Sequence, residues 1–232
     1  MTLQYKPSTK MLLVIIIILS LESCITYTLP LVNVESQKSI TSDRVGFLSP
    51  LSSIYIIESK NKMMISEVLS IQSMETNKSV MSENFTDLGI SRIASYEDEY
   101  IESKIQNEVF NYISYAHNNR KIDQIKLSKE MLQVLEENNF DYGIASYFSG
   151  FDRTAKNQKG QIAKAIGLGI ATLGIFTVIP KKSNLTVHTM IFDRKNNRAV
   201  IYKEAATDGQ KPNDANVIDK VLRKSIEKYF YN

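Results

Sequence analysis

"NLTVHTMIFDRKNNRAVIYKEA", residues 184–205, decides the fold. Leu185, Val187, Thr189 and Ile191 alternate with Thr186, His188, Met190 and Phe192, the period of a strand, and "DRKNNR" supplies the polar residues of a turn before a second strand. Asp208 and Gly209 mark the next turn. Beyond it the spacing predicts a helix over about 213–230, where Val217, Ile218, Val221, Leu222, Ser225, Ile226, Tyr229 and Phe230 make one stripe.

Working upstream, "DYGIASYFSGF" (141–151) has the length and the β-branched, aromatic and small residues of a central strand. It follows an expected helix over 129–138, capped by Ser128, with Met131, Leu132, Val134 and Leu135 pointing inward. A longer helix is expected over 97–117, where Ile101, Ile105, Val109, Tyr112, Ile113 and Ala116 recur at helical spacing. "KIDQIKL" (121–127) between them reads as a short strand. "SSIYIIESKNKMMISEV" (52–68) reads as a hairpin or as a strand followed by a helix, and residues 66–95 carry little pattern. The sum is an α/β (α+β) domain over 46–232: a mixed sheet covered by helices, with a C-terminal β-hairpin followed by a long amphipathic helix.

The order of "LEENNFDYGIASYFSGF" (135–151), a Gly-rich apolar stretch, the "VHTMIFDRKNNRAVIYKE" hairpin (187–204) and a terminal helix resembles small bacterial envelope lipoproteins. These have a TolB amino-terminal-like domain, in the group that includes penicillin-binding-protein activator lipoproteins. The resemblance covers roughly 97–232 and rests on element order. It implies a fold that presents surfaces to partners and a role in supporting an envelope assembly.

The N-terminus sets the compartment. Residues 11–21 contain one polar residue, Ser20, and follow Lys6 and Lys10. Eleven residues are too few for a spanning helix, which needs roughly 20. A basic start, a short apolar run and small residues before a cut site are the layout of a signal peptide over 1–23. The sequence "LESC" (21–24) resembles the bacterial lipobox: Leu21, Ser23 and Cys24 match, and Glu22 departs from the usual small uncharged residue. Cleavage between Ser23 and Cys24 and lipidation of Cys24, the chain's single cysteine, are expected. Two or more acyl chains hold a protein stably on a bilayer where one does not. Ile25 after the cysteine points to the outer membrane, on its periplasmic face. Residues 24–45 read as a tether.

Losing residues 1–23 removes Lys6, Lys10 and Glu22, so the formal charge of +3 falls to +2. No basic run interleaved with aromatics supports nucleic-acid binding. Sequons at Asn77, Asn84 and Asn184 are of the kind that arises by chance in an Asn- and Ser-rich chain. In the Gly-rich segment at 160–180, Ala163, Gly167 and Ala171 stand four apart, as do Ala165 and Gly169, and Gly174 lies further on. On a helix such strips let another helix approach closely. Helix packing or membrane contact through these residues is one reading. The other, favoured because the uncharged run of sixteen residues ends in "TVIP", is a short packed helix and an extended segment.

No enzyme emerges. Two histidines, His117 and His188, and one cysteine leave no Cys-His pair beyond Cys24 and no His-rich metal site. "YFSGF" around Ser149 has one glycine where a nucleophile elbow has two. Glu97, Asp98, Glu99 and Glu102 sit at a helix start, where negative charge suits the dipole. No cofactor, metal or catalytic residue is assigned. The expectation is a non-catalytic, lipid-anchored module that binds a protein partner or its own copies, with the bilayer held through Cys24. The alternatives are an envelope enzyme acting on glycan or lipid through carboxylates, or a subunit of an oligomeric pore or export complex.

Overall fold

The computed structural model describes residues 25–27, 30–32, 40, 44–90, 92–171 and 180–230, with backbone only at 25–27 and 167–171. The lipobox, Ser23, Cys24 and Gly174 lie outside the described residues.

One mixed sheet organises the chain. Its strands are β1 (Ile25–Tyr27), β2 (Leu31–Val32), β3 (Val45–Phe47), β4 (Leu51–Ile57), β5 (Met63–Ile65), β6 (Tyr142–Arg153), β7 (Ser183–Asp193) and β8 (Arg198–Asp208). The order across it is β1-β8-β7-β6-β4-β5, with β2 also on β8 and β3 also on β6. Strands β6, β7 and β8 are antiparallel neighbours, whereas β3 and β4 run parallel to β6. The hairpin read from residues 184–205 is present. In its turn Asn197 takes φ +51°, a conformation asparagine tolerates, and Asp193 accepts from the Asn196 N–H at 2.9 Å.

The helices are α1 (Glu67–Glu83), α2 (Glu99–Asn119), α3 (Lys129–Glu137), α4 (Ala155–Ala171) and α5 (Ala215–Ile226). Side-chain oxygens of Ser66, Asp98, Ser128 and Asp214 cap α1, α2, α3 and α5. Because side chains alternate across a strand, β6, β7 and β8 bury both faces. On one, Ile144, Phe148, Val187, Ile191 and Ile201 meet Val80 and Met81 of α1 and Ile218, Val221 and Leu222 of α5. On the other, Ala145, Met190, Phe192 and Tyr202 meet Ile105, Val109 and Ile113 of α2 and Met131 and Leu135 of α3. The α+β class and the covered mixed sheet are as the sequence indicates.

Two details differ from the sequence reading, and one alternative it left open is decided. Residues 25–27 and 31–32, expected in a tether, pair antiparallel with β8. Residues 121–127, expected as a strand, form an irregular link: Ile122, Ile125 and Leu127 are buried, and the Leu127 N–H donates to the Asn197 side chain at 3.0 Å. The ambiguous stretch at 52–68 is a hairpin and then a helix, with Tyr55, Ile56 and Ile57 opposite Ile65, Met64 and Met63. Asn77, in a sequon, is fully buried.

After α5, a 3₁₀ turn carries Tyr229, whose hydroxyl is buried without a hydrogen bond among the described residues. Burial pushes its pKa up to about 12. A raised folded-state value means the contribution is fully present below the unfolded value, about 10, and lost as pH rises through 12. Tyr229→Phe is therefore expected not to lower stability at pH 7, since it removes an unpaired buried hydroxyl, and to lessen the further loss between pH 7 and pH 11. Urea titrations of both proteins at the two pH values check this.

Candidate functional site

A pocket of about 400 Å³ opens beside the C-terminal end of α2, walled by Phe110, Ser114, His117, Tyr147, His188 and Glu204. The sheet register builds its floor. His188 on β7 lies opposite Tyr147 on β6 and opposite Glu204 on β8, so the three side chains form one row on the face that α2 covers. The last turn of α2 brings His117 over this row.

The polar atoms converge. His117 Nδ1 lies 3.0 Å from Glu204 Oε2 and 3.3 Å from the Tyr202 hydroxyl. That hydroxyl lies 3.0 Å from His188 Nδ1, which is 3.9 Å from Glu204 Oε2. One proton arrangement satisfies every short contact: His117 Nδ1–H donates to the carboxylate and the phenol oxygen, and the phenol O–H donates to His188 Nδ1. The imidazole of His188 is stacked between Tyr147 and Tyr202, with centroids at 5.7 and 6.3 Å. It stands edge-on to His117 at 5.5 Å.

His188 is 8% exposed, and burial lowers its pKa to about 4, with His117 adding to the effect and Glu204 opposing it. It is thus neutral at pH 7. Burial also raises the Tyr202 pKa, which keeps the phenol protonated and a donor.

The sequence reading placed His188 within the hairpin, beside the alternating core positions, as a packed or surface residue, and His117 at a helix end; His188 is packed, and His117 lies in the last turn of α2. It did not bring them together with Glu204, and it weighed a His-rich site, whereas the arrangement formed needs two histidines and one carboxylate. Ser149 also lines the pocket. Glu99 and Glu102 lie in the first turn of α2 and Asp98 caps it, as expected. Of the small residues singled out, Ala163 is exposed on α4, Gly167, Gly169 and Ala171 belong to the same helix, and Gly174 lies outside the described residues. Among the described residues no helix is long and apolar enough to cross a membrane. The start of α4 is fastened to the β4–β5 turn, where Asn157 Nδ2 donates to the Glu58 carbonyl at 2.6 Å and Gln161 Nε2 to Asn61 Oδ1 at 2.7 Å.

No protein-family model matches the chain, and no curated protein matches it. Among solved structures, the PelC dodecamer from Paraburkholderia phytofirmans aligns with a TM-score of 0.40 and 8% identity, over 91% of this chain and 100% of that one. A point variant of that dodecamer aligns with a TM-score of 0.36 and 9% identity, over 90% and 99%. At these values neither structure assigns a role to any residue here.

Proposed function

We propose that this chain is a lipid-anchored envelope protein whose α+β domain works by binding, as an accessory to an envelope assembly, and that its first partner is a second copy of itself. The observation that carries the reading is an end of the sheet that is uncovered among the described residues. β5 is the last strand in the order, and Met63, Met64 and Ile65 on it are 58%, 39% and 58% exposed. Val68 and Ile71 in the following turns of α1 are 65% and 56% exposed. The edge is short and flanked by Lys60 and Lys62, which limit open-ended strand addition, but its own three residues are all apolar and exposed, and an exposed apolar edge is a surface for strand pairing. Pairing β5 with β5 of another copy is self-complementary and sets the same apolar residues against each other. Confinement to one membrane raises the effective concentration of copies.

The lipobox reading supports the anchor, and the pairing of β1 adds a geometric consequence. Cys24 immediately precedes β1, so an acylated Cys24 would hold the domain within a few ångströms of the bilayer, since one residue reaches about 3.5 Å. β5 is at the opposite end of the sheet order and stays available. The resemblance to envelope lipoproteins of the TolB amino-terminal-like group agrees with this role.

Two measurements test it. Fractionation and intact mass of the native protein beside Cys24→Ser are expected to show an acylated chain starting at residue 24 that leaves the membrane in the variant; a chain that keeps residues 1–23 overturns the anchor. Light scattering of the full chain in detergent is expected to give a dimer that Met63→Lys with Ile65→Lys converts to a monomer with an unchanged circular-dichroism spectrum, its unfolding no longer dependent on protein concentration. A monomeric native chain, or a dimer indifferent to the substitutions, overturns self-association through β5.

A further inference from the structure

The geometry points to a divalent-metal site of the zinc class on the pocket floor, with His117, His188 and Glu204 as ligands. This stands apart from the anchoring and docking proposed above. Donor atoms of the three side chains lie within 4.8 Å of one another. A tetrahedral ion with nitrogen and oxygen ligands at 2.0–2.1 Å sets those atoms roughly 3.3 Å apart. The distances of 3.0 and 3.9 Å from Glu204 Oε2 to the two Nδ1 atoms bracket that figure.

The supports differ in a useful way. His188 and Glu204 are a cross-strand pair on the two long central strands, and Tyr147 and Tyr202 hold the His188 ring from both sides. His117 has a side chain 44% exposed at the end of a helix, so it is the ligand able to swing onto an ion. Two ligands on rigid strands and one on a helix end give a preorganised set that closes by one rotation. Two imidazoles and a carboxylate suit zinc or a neighbouring first-row ion better than magnesium or calcium, which prefer all-oxygen sets. A fourth position would face the pocket and be filled by water or by a ligand that enters it, the open arrangement that three protein ligands leave.

On binding, His117 passes from the Nδ1–H to the Nε2–H tautomer, which frees Nδ1 for the ion, and the Tyr202 hydroxyl releases His188 Nδ1. Neither change requires a redox partner or a bond between heavy atoms to break.

The test uses the full chain in detergent, freed of metal with chelator and titrated with zinc chloride by calorimetry, with metal content then measured after gel filtration. One zinc per chain is expected. His117→Gln and Glu204→Gln are each expected to weaken binding by at least 10–100-fold, the loss that disturbing even an outer-shell partner brings. Uptake without a fixed stoichiometry, or uptake that survives both substitutions, overturns the site. Cobalt(II) decides the matter on the native chain alone should a variant not fold. Intense visible bands of a four- or five-coordinate ion support the site, and the weak spectrum of the hexaaquo ion overturns it.

Discussion

Phe148→Ala is expected to cost about 3–5 kcal/mol, the range for deleting a buried aromatic ring. Phe148 has no exposed surface and sits mid-strand on β6, between Ser52 of β4 and Val187 of β7. Its cluster joins the sheet to Val80 and Met81 of α1 and to Val221 and Leu222 of α5. With parallel and antiparallel neighbours fixing the backbone on either side, the hole cannot close by moving the strand. A domain has about 5–15 kcal/mol in all, so the variant would lose about a fifth of its stability or more. Urea denaturation reads the loss as a lower midpoint at unchanged slope. Phe110, 43% exposed and in edge contact with Tyr147 at 5.4 Å, is the comparison. Phe110→Ala is expected to cost about 1 kcal/mol, mostly the aromatic contact. Equal losses at the two positions would refute the assignment of the core.

Where the residues buried on an element repeat with its period, the sequence was legible. α5 buries Ile218, Val221, Leu222, Ser225 and Ile226, the stripe visible in the chain. α1 defeats the same reasoning: it buries Ser73, Asn77, Val80 and Met81 while Val68 and Ile71 face solvent, so its apolar residues do not mark its inner face. Those exposed residues are what the docking proposal uses. In 121–127 the apolar residues are buried beneath a loop rather than paired in a ladder, and spacing alone does not separate the two.

The pocket was illegible for a sharper reason. Near the turn the hairpin pairs Asp193 with Arg198 and Phe192 with Ala199, a register that carried onward would set His188 opposite Lys203. A bulge between Ile191 and Phe192 shifts the pairing so that His188 faces Glu204 and the lysine turns to the other side of the sheet. There Lys203 Nζ donates to the Lys224 carbonyl at 2.5 Å. One extra residue in β8 therefore exchanges a cation for a carboxylate beside two histidines. Nothing in the composition of "NNRAVIYKEA" announces it.

The same sheet makes a second large prediction, and it comes with a control of opposite sign. At Gly150 an added Cβ would stand 2.2 Å from the Asn184 carbonyl oxygen and 3.2 Å from the Leu185 Cα, both backbone atoms of β7. Gly150 pairs with Leu185 on one side and Ile54 on the other, so β6 cannot move away from β7 without pressing into β4. Beside this contact the Asn184 side-chain oxygen accepts the Phe151 N–H at 3.1 Å. Gly150→Ala should then cost about 3 kcal/mol, the upper end of the usual overpacking range, because the strand pair has to part locally. Gly160 sits inside α4 with nothing within 4 Å of its would-be Cβ. Gly160→Ala should stabilise by about 0.4–1 kcal/mol, since alanine restricts the unfolded chain and favours the helix. Thermal denaturation of the two variants beside the native protein reads both signs. A Gly150→Ala protein as stable as the native chain would mean that β6 and β7 do not pair in this register, and the row of Tyr147, His188 and Glu204 would be lost with it.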